Sequence, residues 1–278
     1  MKMIQRTFLA FLFAAAPAFA ADGIAFITNV KGEVAVDGNP RPVLLAELSK
    51  GQRVTVGRDS HASVMFIASG KEYVLKGPND YLVKDTEISS TTGVPPVTRE
   101  TPWRANPKVL SQVAQTSAAS VRMRSVAHPK VDNSPRLLFP TEGSVATLQP
   151  TFRWRAQDPS LKGDFTLYII GQEKAVHTGK AAAGAYKLPA KLKPETEYSW
   201  TLTAAGGHEV GTGRFRTLSN DALAQVERRR PADKADFSDR LLFTLLLHEM
   251  GATQEAQESW ARLAQERGDL PELASFAK

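Results

Sequence analysis

The chain has 278 residues, 42% hydrophobic and 23% charged, a balance that excludes global disorder and leaves room for one large domain or two to three small ones. Cysteine is absent, which excludes thiol catalysis, cysteine-ligated zinc and iron–sulfur clusters, and leaves each module to stand on its own apolar core. The formal charge of +6 falls to +4 without Lys2 and Arg6, an excess too mild for a nucleic-acid binder.

Lys2 and Arg6 precede an apolar run from Phe8 to Ala16. Pro17 breaks the run, and Ala18-Phe19-Ala20 places small residues where a signal peptidase reads. The expectation is a secretory signal peptide over residues 1–20, cleaved after Ala20. The run falls short of the roughly 20 residues that span a bilayer. The later run from Leu241 to Leu247 is shorter still, so the mature chain is expected to be periplasmic, with no transmembrane segment.

Residues 23–92 read as short strands punctuated by Gly and Pro. Ile24-Ala25-Phe26-Ile27, Glu33-Val34-Ala35-Val36, Arg53-Val54-Thr55-Val56, Ser63-Val64-Met65-Phe66-Ile67, Tyr73-Val74-Leu75 and Tyr81-Leu82-Val83 are the strand candidates. Asp37-Gly38-Asn39 is a hairpin signal, and Ala68-Ser69-Gly70-Lys71 marks another turn. Many short strands at this spacing predict a sandwich or small barrel.

The spacing Gly32-x-Val34-x-Val36, Leu48-x-x-Gly51-x-x-Val54-x-x-Gly57 and Val64-x-Phe66-x-x-x-Gly70-x-x-Tyr73-x-Leu75 resembles the FecR-type domain. The resemblance covers about a quarter of the chain and implies a small periplasmic β domain. The family takes its name from a membrane-anchored regulator of a sigma factor, whereas this chain reads as having a cleavable signal and no anchor.

Residues 93–134 change character. Pro95, Pro96, Pro102, Pro107 and Pro129 recur, and to residue 136 the segment holds seven basic residues against Glu100 and Asp132. It reads as a basic linker, with a short helix possible from Lys108 to Ser120. Arg99, Trp103, Arg104, Lys108, Arg122 and Arg124 are its candidate binding residues. Each cation near an anionic surface contributes roughly 1 kcal/mol, weakened by salt.

Residues 135–218 read as a second β module, with strands at Thr151-Phe152-Arg153-Trp154, Phe165 to Ile170, Tyr198 to Leu202 and Gly213 to Thr217. The run Leu192-x-Pro194-x-Thr196-x-Tyr198-x-Trp200 resembles the approach to the tyrosine corner of fibronectin type III domains. The resemblance implies a Tyr198 hydroxyl bonded to backbone upstream, and Trp154 as a core tryptophan.

From residue 219 the pattern turns helical. Asp236 and Asp239 form an acidic capping pattern, Leu241, Leu242, Leu245 and Leu246 line one face, and Gly251 fits a stop. Thr253 is expected to cap a second helix carrying Ala256, Trp260, Leu263 and Ala264. This hairpin resembles one tetratricopeptide-type unit. A single hairpin must cover its apolar faces on a β module or on a partner.

Catalytic patterns fail on inspection. His248-Glu249 begins a zinc-protease motif, but Ala252 stands where the second ligand is required. Gly211-Thr212-Gly213 opens no helix and reads as a turn. Gly70-Lys71 and Gly179-Lys180 lack the rest of a phosphate loop, and no Gly-x-Ser-x-Gly elbow occurs. Glu33, Asp59 and Asp80 are the acids from which a glycosidase pair would have to be assembled.

The expectation is therefore a mostly β, multi-module chain: an FecR-like domain, a fibronectin type III-like sandwich and a C-terminal helical hairpin. The expected function is noncatalytic binding or scaffolding of cell-wall glycan or an envelope protein, without cofactor, metal or nucleic acid. An accessory of trans-envelope signalling and an enzyme acting on envelope polysaccharide are the alternatives.

Overall fold

The computed structural model describes residues 23–40, 42, 44–103, 136–155, 163–182, 184–204 and 207–277. The expected signal peptide, the helix read over 108–120, and Arg104, Lys108, Arg122 and Arg124 lie outside them. Among the described residues the chain is mostly β, in four sheets, with a short C-terminal helical region.

The first module pairs two antiparallel sheets. One has the order β3-β1-β5-β6-β9, from Glu47–Leu48, Ala25–Lys31, His61–Phe66, Glu72–Lys76 and Val97–Arg99. The other is β2-β4-β7-β8, from Val34–Val36, Arg53–Val56, Asn79–Val83 and Ile88–Ser90. Ile27, Val54, Val64, Leu75 and Tyr81 meet between them in a continuous apolar core. Strand β9 falls in the segment read as linker. Its pairing with β6 carries the module past residue 92.

The hairpin signal at Asp37-Gly38 is a tight turn with φ of 47° and 80°, as a two-residue primed turn requires. It closes only a single bridge, Val36 with Asn39, and β2 finds its sheet partner in β4. Gly32 also needs its freedom, with φ of 80° and Ser60 where a Cβ would stand.

Strands β1 and β5 do not alternate. Residues 25–28 and 62–66 are buried on both faces. An antiparallel strand reads this way when both sides of its sheet are covered. Here the second cover is the helical region.

The second module places β10 (Arg136–Phe139), β12 (Thr151–Arg155) and β15 (Ala185–Lys187) in one sheet. The other runs β11-β17-β16-β13-β14, from Ser144–Val145, Glu209–Thr217, Glu197–Ala204, Gly163–Ile169 and His177–Ala181. Phe152, Phe165 and Trp200 form its centre, with Phe152 edge-on to Trp200 at 5.0 Å between centroids. Trp154 is in this core as well.

Gly211 and Gly213, read as a turn, lie inside strand β17. Gly213 has a packing reason. A Cβ there would overlap the Trp200 indole nitrogen and come within 2.7 Å of the Pro140 carbonyl. These are the two atoms of the Trp200 Nε1–H to Pro140 O hydrogen bond, 2.6 Å long.

Four helices follow: α1 (Asn220–Arg229), α2 (Phe237–Glu249), α3 (Thr253–Glu266) and α4 (Glu272–Phe276). The helical pattern in the sequence fits α2 and α3. Ser219 caps α1 by accepting the Ala222 N–H. Helix α2 is buried without a break from Leu241 to Leu247, not along one face, because it lies beneath α1, α3 and strand β1. It ends in a Schellman motif: Gly251 (φ 74°) donates to the His248 carbonyl and Ala252 to that of Leu247. Thr253 is the first residue of α3 and not its cap. None of the described helices is long and apolar enough to cross a membrane.

Candidate functional site

The helices join the two β modules. On the first module, Phe26, Met65 and Trp103 share one apolar core with Leu241, Leu242, Leu246 and Trp260. Arg267 fixes one corner, donating to Asn29 Oδ1 at 2.6 Å and to the Val30 carbonyl, with its guanidinium over the Phe237 ring.

Arg99 fixes another corner. Its Nε donates to Glu72 Oε2 at 2.5 Å, and its two terminal nitrogens grip Asp239 at 2.7 and 3.2 Å. Asp236 stands 3.0 Å away. Both expected helix-capping acids therefore face Arg99, and Asp236 makes no capping hydrogen bond. Glu72 is fully buried and also accepts the Thr28 hydroxyl at 2.6 Å. Burial weighs against the charge on Arg99. The hydrogen bond to Asp239 and the charges of Glu72 and Asp239 outweigh it and hold the guanidinium protonated above its usual range.

On the second module, the α2–α3 turn and α3 make the contacts. Ser144 N–H donates to the Gly251 carbonyl at 2.9 Å, and Thr141 N–H donates to Gln254 Oε1 at 2.7 Å. Ala146 N–H donates to Glu255 Oε2 at 2.8 Å, and Arg153 pairs with Glu258. Burial pushes the Glu255 carboxyl up to about 7. The Ala146 N–H and the Arg230 and Arg153 charges oppose the rise, and Glu258 adds to it.

A groove of about 420 Å³ opens on the outer side of the helices, between the α1–α2 connection and α2 and α3. Three guanidiniums and the Asp233 carboxylate line it, over the apolar surface of Phe243 and Leu263. Arg230 pairs with Glu227 and lies over the Phe243 ring, and Arg240 pairs with Glu266. Among the described residues Arg262 donates only to the Ser259 hydroxyl, at 3.1 Å. A guanidinium offers paired N–H donors that match carboxylate and phosphate oxygens. Arg262, with no carboxylate partner among the described residues, thus gives the groove one cation for an anionic group beside its apolar surface.

Neither models of known protein families nor curated protein sequences match this chain.

Of the candidate binding residues, the structure brings together Arg99 and Trp103, and places both inside the junction. Trp103 is fully buried beneath Arg229, whose guanidinium lies 5.6 Å from the ring centroid. Arg99, 22% exposed at its side chain, is engaged by Glu72, Asp236 and Asp239. The groove arginines went unnoticed in the sequence because a helix spaces them: Arg240 and the turn at Arg230 face Arg262 only after α2 and α3 fold back on each other.

Among the described residues no group of three or more His, Asp or Glu is placed to hold a metal ion. Of the acids weighed for a glycosidase pair, Glu33 and Asp59 are exposed, and Asp80 accepts the Thr55 hydroxyl at 2.6 Å.

Proposed function

We propose that the protein is a noncatalytic binding or scaffolding protein of the cell envelope, exported to the periplasm, that holds cell-wall glycan or another envelope protein. The observation that carries this reading is the junction. One helical region shares a core with the first β module and hydrogen-bonds the second, so their outer surfaces are held at fixed separation. Fixed spacing between recognition surfaces is what a scaffold needs, because partners then bind without a further ordering cost.

Two further observations support the module assignments within this reading. The first module has the glycine-punctuated pair of sheets that an FecR-like domain implies. In the second, the Tyr198 hydroxyl accepts the Lys193 N–H at 2.9 Å, as the fibronectin type III-like resemblance implies for a tyrosine corner. The α2–α3 pair is the tetratricopeptide-like unit. Its arginine-lined groove is the surface assigned to an anionic partner group.

The test is retention of the purified mature protein on isolated peptidoglycan and on envelope extract, at low and high salt, beside an Arg262→Glu variant. Retention on glycan through high salt, or recovery of one protein partner that the variant loses, is the expected result. Loss of all retention at high salt, with no partner recovered, overturns the reading.

A further inference from the structure

Strand β14 is the last strand of its sheet. It pairs with β13 on one side, and among the described strands nothing pairs with its other side. An edge strand left open is a template for another strand. At the start of β14 a cavity of about 220 Å³ opens between this sheet edge and the 188–193 loop that follows β15. Its inner wall is apolar, from Leu167, Ile169, Leu188 and Leu192, and Val176 stands 45% exposed beside it. Lys191 and Lys193 also line it. Both residues are exposed, and their ammonium groups form no ion pair among the described residues. His177 is already engaged, 2.5 Å from the Tyr186 hydroxyl.

We infer that the β14 edge is a docking site for an extended acidic peptide segment of a partner protein, which adds as a strand and sends one apolar side chain into the cavity. The backbone donors and acceptors of the edge supply main-chain pairing, the cavity selects a side chain, and the lysines select neighbouring carboxylates. This is the division of labour of strand addition. An acyl chain would leave the edge groups unpaired. The cavity is also smaller than the roughly 300 Å³ at which small-molecule sites begin, yet it has room for one side chain. Residues two apart on a strand share a face, so the carboxylates belong two positions from the apolar residue.

The inference rests on the scaffold reading and names the chemistry of a protein partner. The test uses the full mature chain and a fluorescein-labelled heptapeptide with Leu at the centre, Glu two positions to either side and Thr elsewhere, followed by anisotropy. Saturable binding is expected. It should weaken at least tenfold for the Lys191→Glu/Lys193→Glu variant, and as much when the peptide backbone is N-methylated at alternate positions. Absence of saturable binding, or equal binding of the methylated peptide, overturns the proposal. So does octanoate binding in place of the peptide, which would assign the cavity to an acyl chain. No envelope material enters this experiment, so its failure leaves the retention result standing, and the reverse holds as well.

Discussion

Arg99 and Asp239 are 140 residues apart in sequence and meet through two hydrogen bonds, 2.7 and 3.2 Å long. The same guanidinium neutralises Glu72, which is fully buried in strand β6. The sheet thus holds a buried carboxylate whose counter-ion is also gripped by a helix, so docking of the helix fixes the guanidinium that neutralises it. Removing one member of a buried pair costs about 3–5 kcal/mol, because the charge left behind has no partner. Arg99→Ala should lose stability of that order in urea unfolding. Adding Glu72→Gln should recover part of it, since the neutral amide tolerates burial better. Equal stability of Arg99→Ala and the parent would refute a clasp.

Trp103 belongs to the same interface. Its indole is fully buried among helical leucines, with Arg229 across its face. Truncating a buried tryptophan costs about 3–5 kcal/mol. Trp103→Ala should be destabilised by that amount, and limited proteolysis should cut it within residues 219–277 sooner than the parent. Trp103→Phe, which keeps a ring in the core, should lose less.

Local patterns were legible in the sequence, and pairings across modules were not. Gly251 announced a helix stop because the Schellman motif uses only neighbouring residues. The unbroken apolar runs around Phe26 and Met65 carried the signature of strands covered on both faces, but nothing local says what covers them. Asp236 and Asp239 fitted a capping pattern, and a tertiary partner, Arg99, took both carboxylates instead. Helix α1 left a weak trace, Ser219 followed by Leu223 and Val226, within a segment otherwise rich in charge. Val97–Arg99, within the segment read as linker, forms edge strand β9, because Pro95 and Pro96 mark the entry to an edge strand as readily as a linker.

Tyr198 and Tyr81 repeat one device in the two β modules. Each hydroxyl accepts the backbone N–H of the residue five positions earlier: Lys193 at 2.9 Å and Lys76 at 3.0 Å. Tyr81 also donates to the Lys76 carbonyl at 2.8 Å. Both rings are buried, so loss of the hydroxyl strands a backbone donor, at a cost of roughly 1–3 kcal/mol. Tyr198→Phe and Tyr81→Phe should each lose stability within that range in urea unfolding. A neutral result for Tyr198→Phe would remove the corner as a fastening of the second module.

Gly213 should tolerate no side chain. Gly213→Ala forces Trp200 off the Pro140 carbonyl, which leaves a buried indole N–H unpaired in a close-packed aromatic core. Overpacking typically costs about 1–3 kcal/mol, and the orphaned donor adds a similar amount. Thermal unfolding followed by near-ultraviolet circular dichroism, which reports tryptophan packing, should show a lower midpoint and a changed native signal. Gly207→Ala is the contrast. Its φ of 86° brings strain, but nothing lies within 4 Å of the added carbon, so the tryptophan signal should stay unchanged.

Glu255 makes the helix–sandwich contact sensitive to pH. Its carboxyl titrates near 7 when folded, against 4.5 for the ordinary group, chiefly because it is buried. Between these values the native state keeps a proton that the unfolded chain has released, so stability falls as pH rises and levels off above about 7. The shift corresponds to roughly 3 kcal/mol. His61 works in the opposite sense. Burial, followed by the charges of Lys31, Arg267 and Lys76, lowers its pKa, and its contribution grows as pH rises toward 6.5. A single pH profile therefore mixes the two groups, and the difference between parent and Glu255→Gln isolates one. The glutamine oxygen can still accept the Ala146 N–H. Urea unfolding should find the variant close to the parent near pH 4.5 and more stable by up to about 3 kcal/mol at pH 8. A difference that does not change with pH would mean that the Glu255 carboxyl titrates alike in the folded and unfolded states.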